Sequence, residues 1–268
     1  MNKFSNSPIG IFDSGLGGLT VLQDLEKSLP NESFIYFGDT ARVPYGNKSS
    51  KTVIQYSNQI VQFLQSHHVK MIVIACNTSS ALALKTLKTK FNLPMFDVIK
   101  PAVMMAEKVS LTNTIIVLGT RATIDSCAYS KTFSEINSKK AIIEKACPLF
   151  VPIIEEGLLS GKITDEIIQL YLAEITKINF SQIILGCTHY PMIKKNIQQF
   201  LGEKKKLITS GDALTPVIKQ FLINNNLSSC SKKKETQFFI TDLPQKFQEL
   251  GSRFLGKKLN NISHISNF

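Results

Sequence analysis

Two short segments hold the residues best suited to chemistry. Val73-Ile74-Ala75-Cys76-Asn77-Thr78 and Ile184-Leu185-Gly186-Cys187-Thr188-His189 are each an apolar run ending in a cysteine followed by small or polar side chains. An apolar run of this length reads as a buried strand, and in open α/β sheets the groups just past the strand carboxyl ends face the ligand crevice. The pattern places two thiols, Cys76 and Cys187, at such a crevice. A pair of equivalent acid/base groups suits a reaction that works on both faces of one carbon, which is racemisation or epimerisation. A free thiol has a pKa of about 8.5, so modest bias from neighbours makes either the thiol or the thiolate available near neutrality.

The remaining cysteines, Cys127, Cys147 and Cys230, follow no strand-like run with a polar tail and are expected to be inert small side chains. Five cysteines with no C-x-x-C pair support neither a structural zinc nor a disulfide scaffold. No metal site is expected. Free thiols fit a reducing compartment, no stretch reaches the apolar length of a membrane span, and Met1 to Pro8 is too short and polar for a signal peptide. The cytoplasm is therefore the expected location.

Strand-like runs alternate with helical segments in the βαβ manner. Pro8 to Phe12 leads into Asp13-Ser14-Gly15-Leu16-Gly17-Gly18 and a helix near Leu19 to Ser28. Phe34 to Phe37 ends in Gly38-Asp39-Thr40, and apolar residues recur at helical spacing between Ser50 and His68. Met71 to Ala75 runs into Cys76, Ala81 to Lys90 reads as helix, and Leu93 to Val98 as extended chain. After a helical Ala102 to Val109, Ile115 to Leu118 ends in Gly119-Thr120, Ile183 to Leu185 in Gly186-Cys187, and Leu207 to Thr209 in Ser210-Gly211-Asp212. One shared crevice would explain why these runs stop at small polar residues. Phe238 to Ile240 is a further strand candidate. The expected division is a discontinuous first α/β domain of 1–98 plus 208–268 and a second α/β domain of 99–207, each giving one cysteine to the cleft between them.

The net charge of +11 invites a nucleic-acid partner. The excess is spread, however, with short lysine runs at Lys204–Lys206, Lys232–Lys234 and Lys257–Lys258 that lack interleaved aromatics. Tryptophan is absent. Such a chain has little with which to stack on or read bases, so nucleic acid is not the expected partner, whereas an anionic small substrate would gain from the field. Gly15-Leu16-Gly17-Gly18 lacks the G-x-G-x-x-G spacing of a dinucleotide loop, and no lysine context for pyridoxal stands out, so no cofactor is expected.

Five segments together resemble the glutamate racemases of the cofactor-independent aspartate/glutamate racemase family. They are Ile11 to Gly18, Gly38 to Gly46, Ala75-Cys76-Asn77-Thr78, Gly119-Thr120 and Leu185 to Pro191, and the resemblance extends from about Pro8 to Asp212. It implies two pseudo-symmetric α/β domains with mainly parallel sheets flanked by helices, the active site at their interface. It further implies interconversion of L- and D-glutamate by a two-base, two-cysteine mechanism, supplying D-glutamate for peptidoglycan. On the same ground Asp13 assists the Cys76 side, and His189 and Glu155 serve the Cys187 side. The adjacent Glu156 leaves that last choice open, since either carboxylate could instead cap a helix. Asp13 could likewise cap the helix near Leu19.

Recognition of one ammonium and two carboxylates falls to Asp13, Ser14, Tyr45, Gly46, Asn77, Thr78, Thr120, Thr188 and His189. These offer donors and acceptors but no arginine. Tyr45 could alternatively pack after Pro44, and Asn77 and Thr78 could cap the next helix. Aspartate racemase is the nearest alternative, because one methylene of substrate is not legible in motifs. From other classes, a metal-dependent hydrolase would use Cys187 and His189, and a polyanion-binding regulatory protein would use the lysines. A homodimer is the expected assembly. The few residues before Pro8 leave no room for the leading segment through which some members respond to a cell-wall precursor, so that control is not expected.

Overall fold

A computed structural model describes residues 5–231, 234–266 and 268, apart from the side chain of Lys246. Met1 to Phe4 of the leading segment and Lys232 and Lys233 of the central lysine run lie outside the described residues. The first part of the chain runs β1 (Ile9–Asp13), α1 (Leu19–Ser28), β2 (Phe34–Gly38), α2 (Ser50–Ser66), β3 (Met71–Ile74), α3 (Asn77–Lys90), β4 (Met95–Asp97) and α4 (Ile99–Val109). It continues through β5 (Thr114–Gly119), α5 (Arg121–Asp125), α6 (Ala128–Glu135), β6 (Ala141–Ala146), α7 (Phe150–Glu155), α8 (Lys162–Leu172), β7 (Gln182–Gly186), α9 (Lys194–Leu201) and β8 (Lys206–Ile208). The last elements are α10 (Ser210–Asn224), β9 (Thr236–Ile240), α11 (Pro244–Leu255) and β10 (Ile262–His264).

These strands form two sheets, β10-β9-β2-β1-β3-β4 and β6-β5-β7-β8, and every pairing is parallel. β1, β2, β3 and β7 are buried along their whole length, because helices cover both faces of each sheet. In the first sheet the order reverses at β1, with β2 on one side and β3 on the other. In the second it reverses at β5, between β6 and β7. A crevice opens beyond the strand carboxyl ends at each reversal. Register aligns Phe12 with Ile74 and Gly119 with Gly186, so Asp13 and Cys76 leave one crevice and Thr120 and Cys187 the other.

Local chemistry sets the helix limits. α2 buries Val53, Ser57, Ile60, Val61 and Leu64 on one face, and Ser49 Oγ accepts the Thr52 N–H at its start. It ends at Ser66 rather than His68, and His68 takes a positive φ of 54°. The helix expected from Ala81 already begins at Asn77, since Cys76 occupies its N-cap. The sequence patterns did not identify β6, and this changes the placing of Cys147. That cysteine follows the strand directly, yet its side chain is buried in the core. Among the described residues no helix is long and apolar enough to cross a membrane.

One buried ion pair ties the chain's return to the first sheet. Lys70 Nζ donates to Glu32 Oε2 at 2.5 Å and to the carbonyls of Ser5 and Leu227 at 2.7 and 2.8 Å, while Glu32 Oε1 accepts the Ser229 N–H at 2.8 Å. Removing one member of a buried pair leaves a desolvated charge. Glu32→Ala is therefore expected to lower the stability to urea by about 3–5 kcal/mol, read from the unfolding midpoint, with turnover per folded molecule unchanged.

Candidate active site

Cys76 and Cys187 line one small cavity together with Asp13, Ser14, Thr188 and His189. The space among them, ≈ 20 Å³, holds about one water. An amino acid therefore enters only when the walls part.

On the first side, Cys76 Sγ accepts the Ser79 N–H at 3.5 Å and donates toward Ser14 Oγ at 3.9 Å. Burial, and then the Asp13 carboxylate nearby, push this thiol up to about 12. Cys76 therefore rests as a thiol. Asp13 stands at the end of β1 and is 1% exposed. Its Oδ2 accepts the Gly15 N–H at 2.9 Å and its Oδ1 the Thr188 hydroxyl at 3.4 Å, from the opposite lobe. It does not cap α1, whose N-cap is Gly18 with no side-chain bond. Desolvation raises its carboxyl above the usual range despite His189 and three backbone N–H groups.

On the second side, Cys187 Sγ lies 3.9 Å from His189 Nδ1, and His189 Nε2 lies 3.0 Å from Glu155 Oε1. Burial disfavours the imidazolium, but hydrogen bonds to Cys187 and Glu155 outweigh it and push His189 to about 10. At neutral pH the ring is a cation, held between Cys187 Sγ and Glu155 Oε1. Glu155 ends α7 and Glu156 is the C-cap beyond it. Both face a neighbouring cavity of ≈ 250 Å³, shared with Gly46, Thr120, Arg121 and Val151. Glu155 is the one that reaches the histidine.

The glycine turn after β1 makes room for this arrangement. A Cβ on Gly17 would fall 2.4 Å from His189 Nδ1 and 2.6 Å from Thr188 Oγ1. Neither neighbour can retreat, since both are buried. Gly17→Ala is expected to cost about 1–3 kcal/mol of stability and at least about tenfold in turnover through the displaced imidazole. A urea melt and steady-state kinetics on the same preparation check both.

Other expected residues are placed unequally. Thr78 Oγ1 contacts Thr120 Oγ1 at 3.0 Å and Thr123 Oγ1 at 3.2 Å, a three-hydroxyl cluster joining α3 to α5. Gly46 packs against Thr120, where a Cβ would sit 2.8 Å from the threonine Cβ. Tyr45 lines the cavity, but its hydroxyl donates to Asp39, which also receives Arg42 at 2.7 Å and Thr241 at 3.0 Å. The side chain of Asn77 is likewise occupied, accepting from Tyr129 at 2.6 Å and donating to Ser210 at 3.2 Å. Sequence reasoning missed Thr123, Val43 and Val151 at or behind the cavity, and it missed Tyr129. Val43 and the Asp39–Arg42 pair had a local signal, lying within the segment Gly38 to Gly46, whereas Thr123, Val151 and Tyr129 had none. Among the described residues, no group of three or more His, Cys, Asp or Glu side chains is arranged to hold a metal ion.

Two parallel-sheet α/β lobes thus bring a cysteine from the mouth of each crevice to one cavity, the arrangement that acid/base chemistry on both faces of one carbon requires. The family model for Asp/Glu/Hydantoin racemase matches residues 9–217. The glutamate racemase of Geobacter metallireducens is 41% identical over 96% of both chains. Among solved structures, glutamate racemase from Francisella tularensis in complex with D-glutamate superposes with a TM-score of 0.92 at 40% identity, covering 98% of each chain. A glutamate racemase isoform from Bacillus anthracis gives 0.94 at 32% identity and the same coverage. The chain belongs to the Asp/Glu/hydantoin racemase family, and within it to the glutamate racemases.

Proposed function

We propose that this racemase inverts glutamate by moving protons between its α-carbon and two thiols on opposite faces. One observation carries this: two buried cysteines, each at the end of a strand in a different sheet, line the same cavity. In one direction Cys187, as thiolate beside the His189 cation, takes the α-proton. The Cys76 thiol returns a proton to the other face. The product complex then has Cys187 protonated and Cys76 as thiolate, which is the state that runs the reverse direction. Asp13, its carboxyl made more basic by burial, accepts the Cys76 proton when that side must become the base. Glu155 holds the imidazole of His189 in place.

The carbanion between the thiols is stabilised by an enclosed, preorganised set of donors. Ser14, Thr78, Thr120 and Thr188, with backbone N–H groups at the start of α3 and around Gly46, hold the ammonium and carboxylates. Asn77 contributes through its backbone, its side chain being engaged elsewhere. Glutamate rather than aspartate is supported by full-length relatives at about 40% identity, one solved with D-glutamate. An aspartate racemase from Picrophilus torridus shares the fold at 17% identity.

Strand membership supports the division into 1–98 plus 208–268 and 99–207 except at Ile208, which pairs with Ile184 as the last residue of β8 in the second sheet. We further infer a cytoplasmic homodimer whose product feeds peptidoglycan synthesis. The free cysteines support the reducing compartment.

The decisive experiment incubates L- and D-glutamate separately with the purified protein in heavy water. Deuterium at the α-carbon accompanied by inversion, from either enantiomer, is the expected result. Inversion without exchange would sink the mechanism, and turnover of aspartate in preference to glutamate would sink the substrate assignment.

A further inference from the structure

The side chain of Tyr129 touches both cysteine-bearing segments. It lies on α6, is fully buried, and packs with Ile184 of β7 and Ala102 and Val103 of α4. Its hydroxyl donates to Asn77 Oδ1 at 2.6 Å, and Asn77 follows Cys76 directly. The same ring closes over Gly186, which precedes Cys187. A Cβ there would lie 3.1 Å from Tyr129 Cε2 and 3.2 Å from its hydroxyl oxygen. The chain of contacts continues through Asn77 Nδ2 to Ser210 Oγ at the start of α10, a 15-residue helix packed on both α1 and α4.

Granting the two-thiol mechanism above, we infer that Tyr129 is a positioning residue that sets the spacing of the thiols across the α-carbon. The phenol ring stands against the segment that carries Cys187, while its hydroxyl holds the amide that opens α3 and carries Cys76. A rigid aromatic ring with a single buried donor is suited to this task. The ring has few torsions to fluctuate, and the hydrogen bond is geometrically selective in a dry site. Proton transfer falls steeply with donor–acceptor misplacement, so a strut of this kind acts on the chemical step more than on binding. It also accounts for Asn77, whose side chain serves the strut and not the ligand.

Tyr129→Phe keeps the ring against Gly186 and removes only the bond to Asn77. In the purified full-length chain it is expected to lower kcat for glutamate racemisation by about tenfold in both directions. KM should stay near its original value, and the kinetic isotope effect with α-deuterated glutamate should rise as proton transfer becomes rate-limiting. Asn77→Ala should show the same fall or a somewhat larger one, since it also frees Ser210, and the double variant should be no worse than Asn77→Ala alone, since that change already breaks the link to Tyr129. Ser210→Ala tests the far end of the chain should Tyr129→Phe fail to fold, with a smaller fall in kcat expected. An unchanged kcat and isotope effect in these variants would overturn the assignment. So would a loss confined to the yield of folded protein. Failure of the unaltered chain to racemise glutamate would instead refute the underlying mechanism and take the strut's role with it.

Discussion

Cys76→Ala and Cys187→Ala are each expected to abolish racemisation, with a loss on the order of 10⁴-fold. The reason is that, in the proposed mechanism, each thiol serves one face of the α-carbon. A single remaining thiol can remove a proton from one enantiomer but has no partner to deliver one from behind. Its proton exchanges with solvent, so a specific residual activity is expected: slow wash-in of deuterium with retention of configuration. Cys76→Ala should exchange one enantiomer and Cys187→Ala the other. Chiral chromatography and proton NMR in heavy water read both outcomes. Inversion persisting at the original rate in either variant would remove that cysteine from the mechanism. Exchange of the same enantiomer by both variants would contradict their placement on opposite faces.

His189→Asn is the next largest effect expected, a fall of about 10²–10³-fold in kcat/KM. In the native chain the ring is held as a cation at neutral pH, between Cys187 and Glu155. Asparagine keeps a polar group there but can neither carry the charge nor pass a proton. The two enantiomers of glutamate are isoenergetic in water, so kcat/KM must fall equally in the two directions. Any asymmetry belongs in kcat and KM taken separately. A larger fall of kcat in the direction that starts with Cys187 as base is expected from full progress curves.

The same residue gives the fold a pH dependence with a defined sign. Its folded pKa, about 10, lies above the ordinary value of 6.5. Its contribution to stability is therefore complete below pH 6.5 and is lost as pH rises through about 10. The urea midpoint of the native chain should accordingly approach that of His189→Asn over this interval. A gap between them that stays constant from pH 6 to pH 10 would contradict the raised pKa.

Legibility in the sequence followed burial. β1, β2, β3 and β7 are buried on both faces and read as unbroken apolar runs, so their ends, and with them Asp13, Cys76 and Cys187, could be found one segment at a time. β6 is an edge strand of the second sheet, only partly buried and carrying Glu144 and Lys145, so it has no such run. With β6 hidden, the position of Cys147 just after a strand was hidden too. β10, a three-residue edge strand, escaped for the same reason.

The sequence by itself determined which chemistry was present: two cysteines after buried strands, a glycine turn bearing Asp13, a histidine two residues past one thiol, and the alternation that builds parallel sheets. Tertiary structure alone decided which of these groups meet. It turned Glu155 rather than Glu156 to His189, because successive helical residues point about 100° apart and only packing selects one. It also paired the side chains of Asn77 and Tyr45 with Tyr129 and Asp39, contacts that no local segment announces. Strand identity is a local consequence of which faces are buried, whereas a hydrogen bond between residues on two lobes depends on how those lobes pack, and no single segment records it.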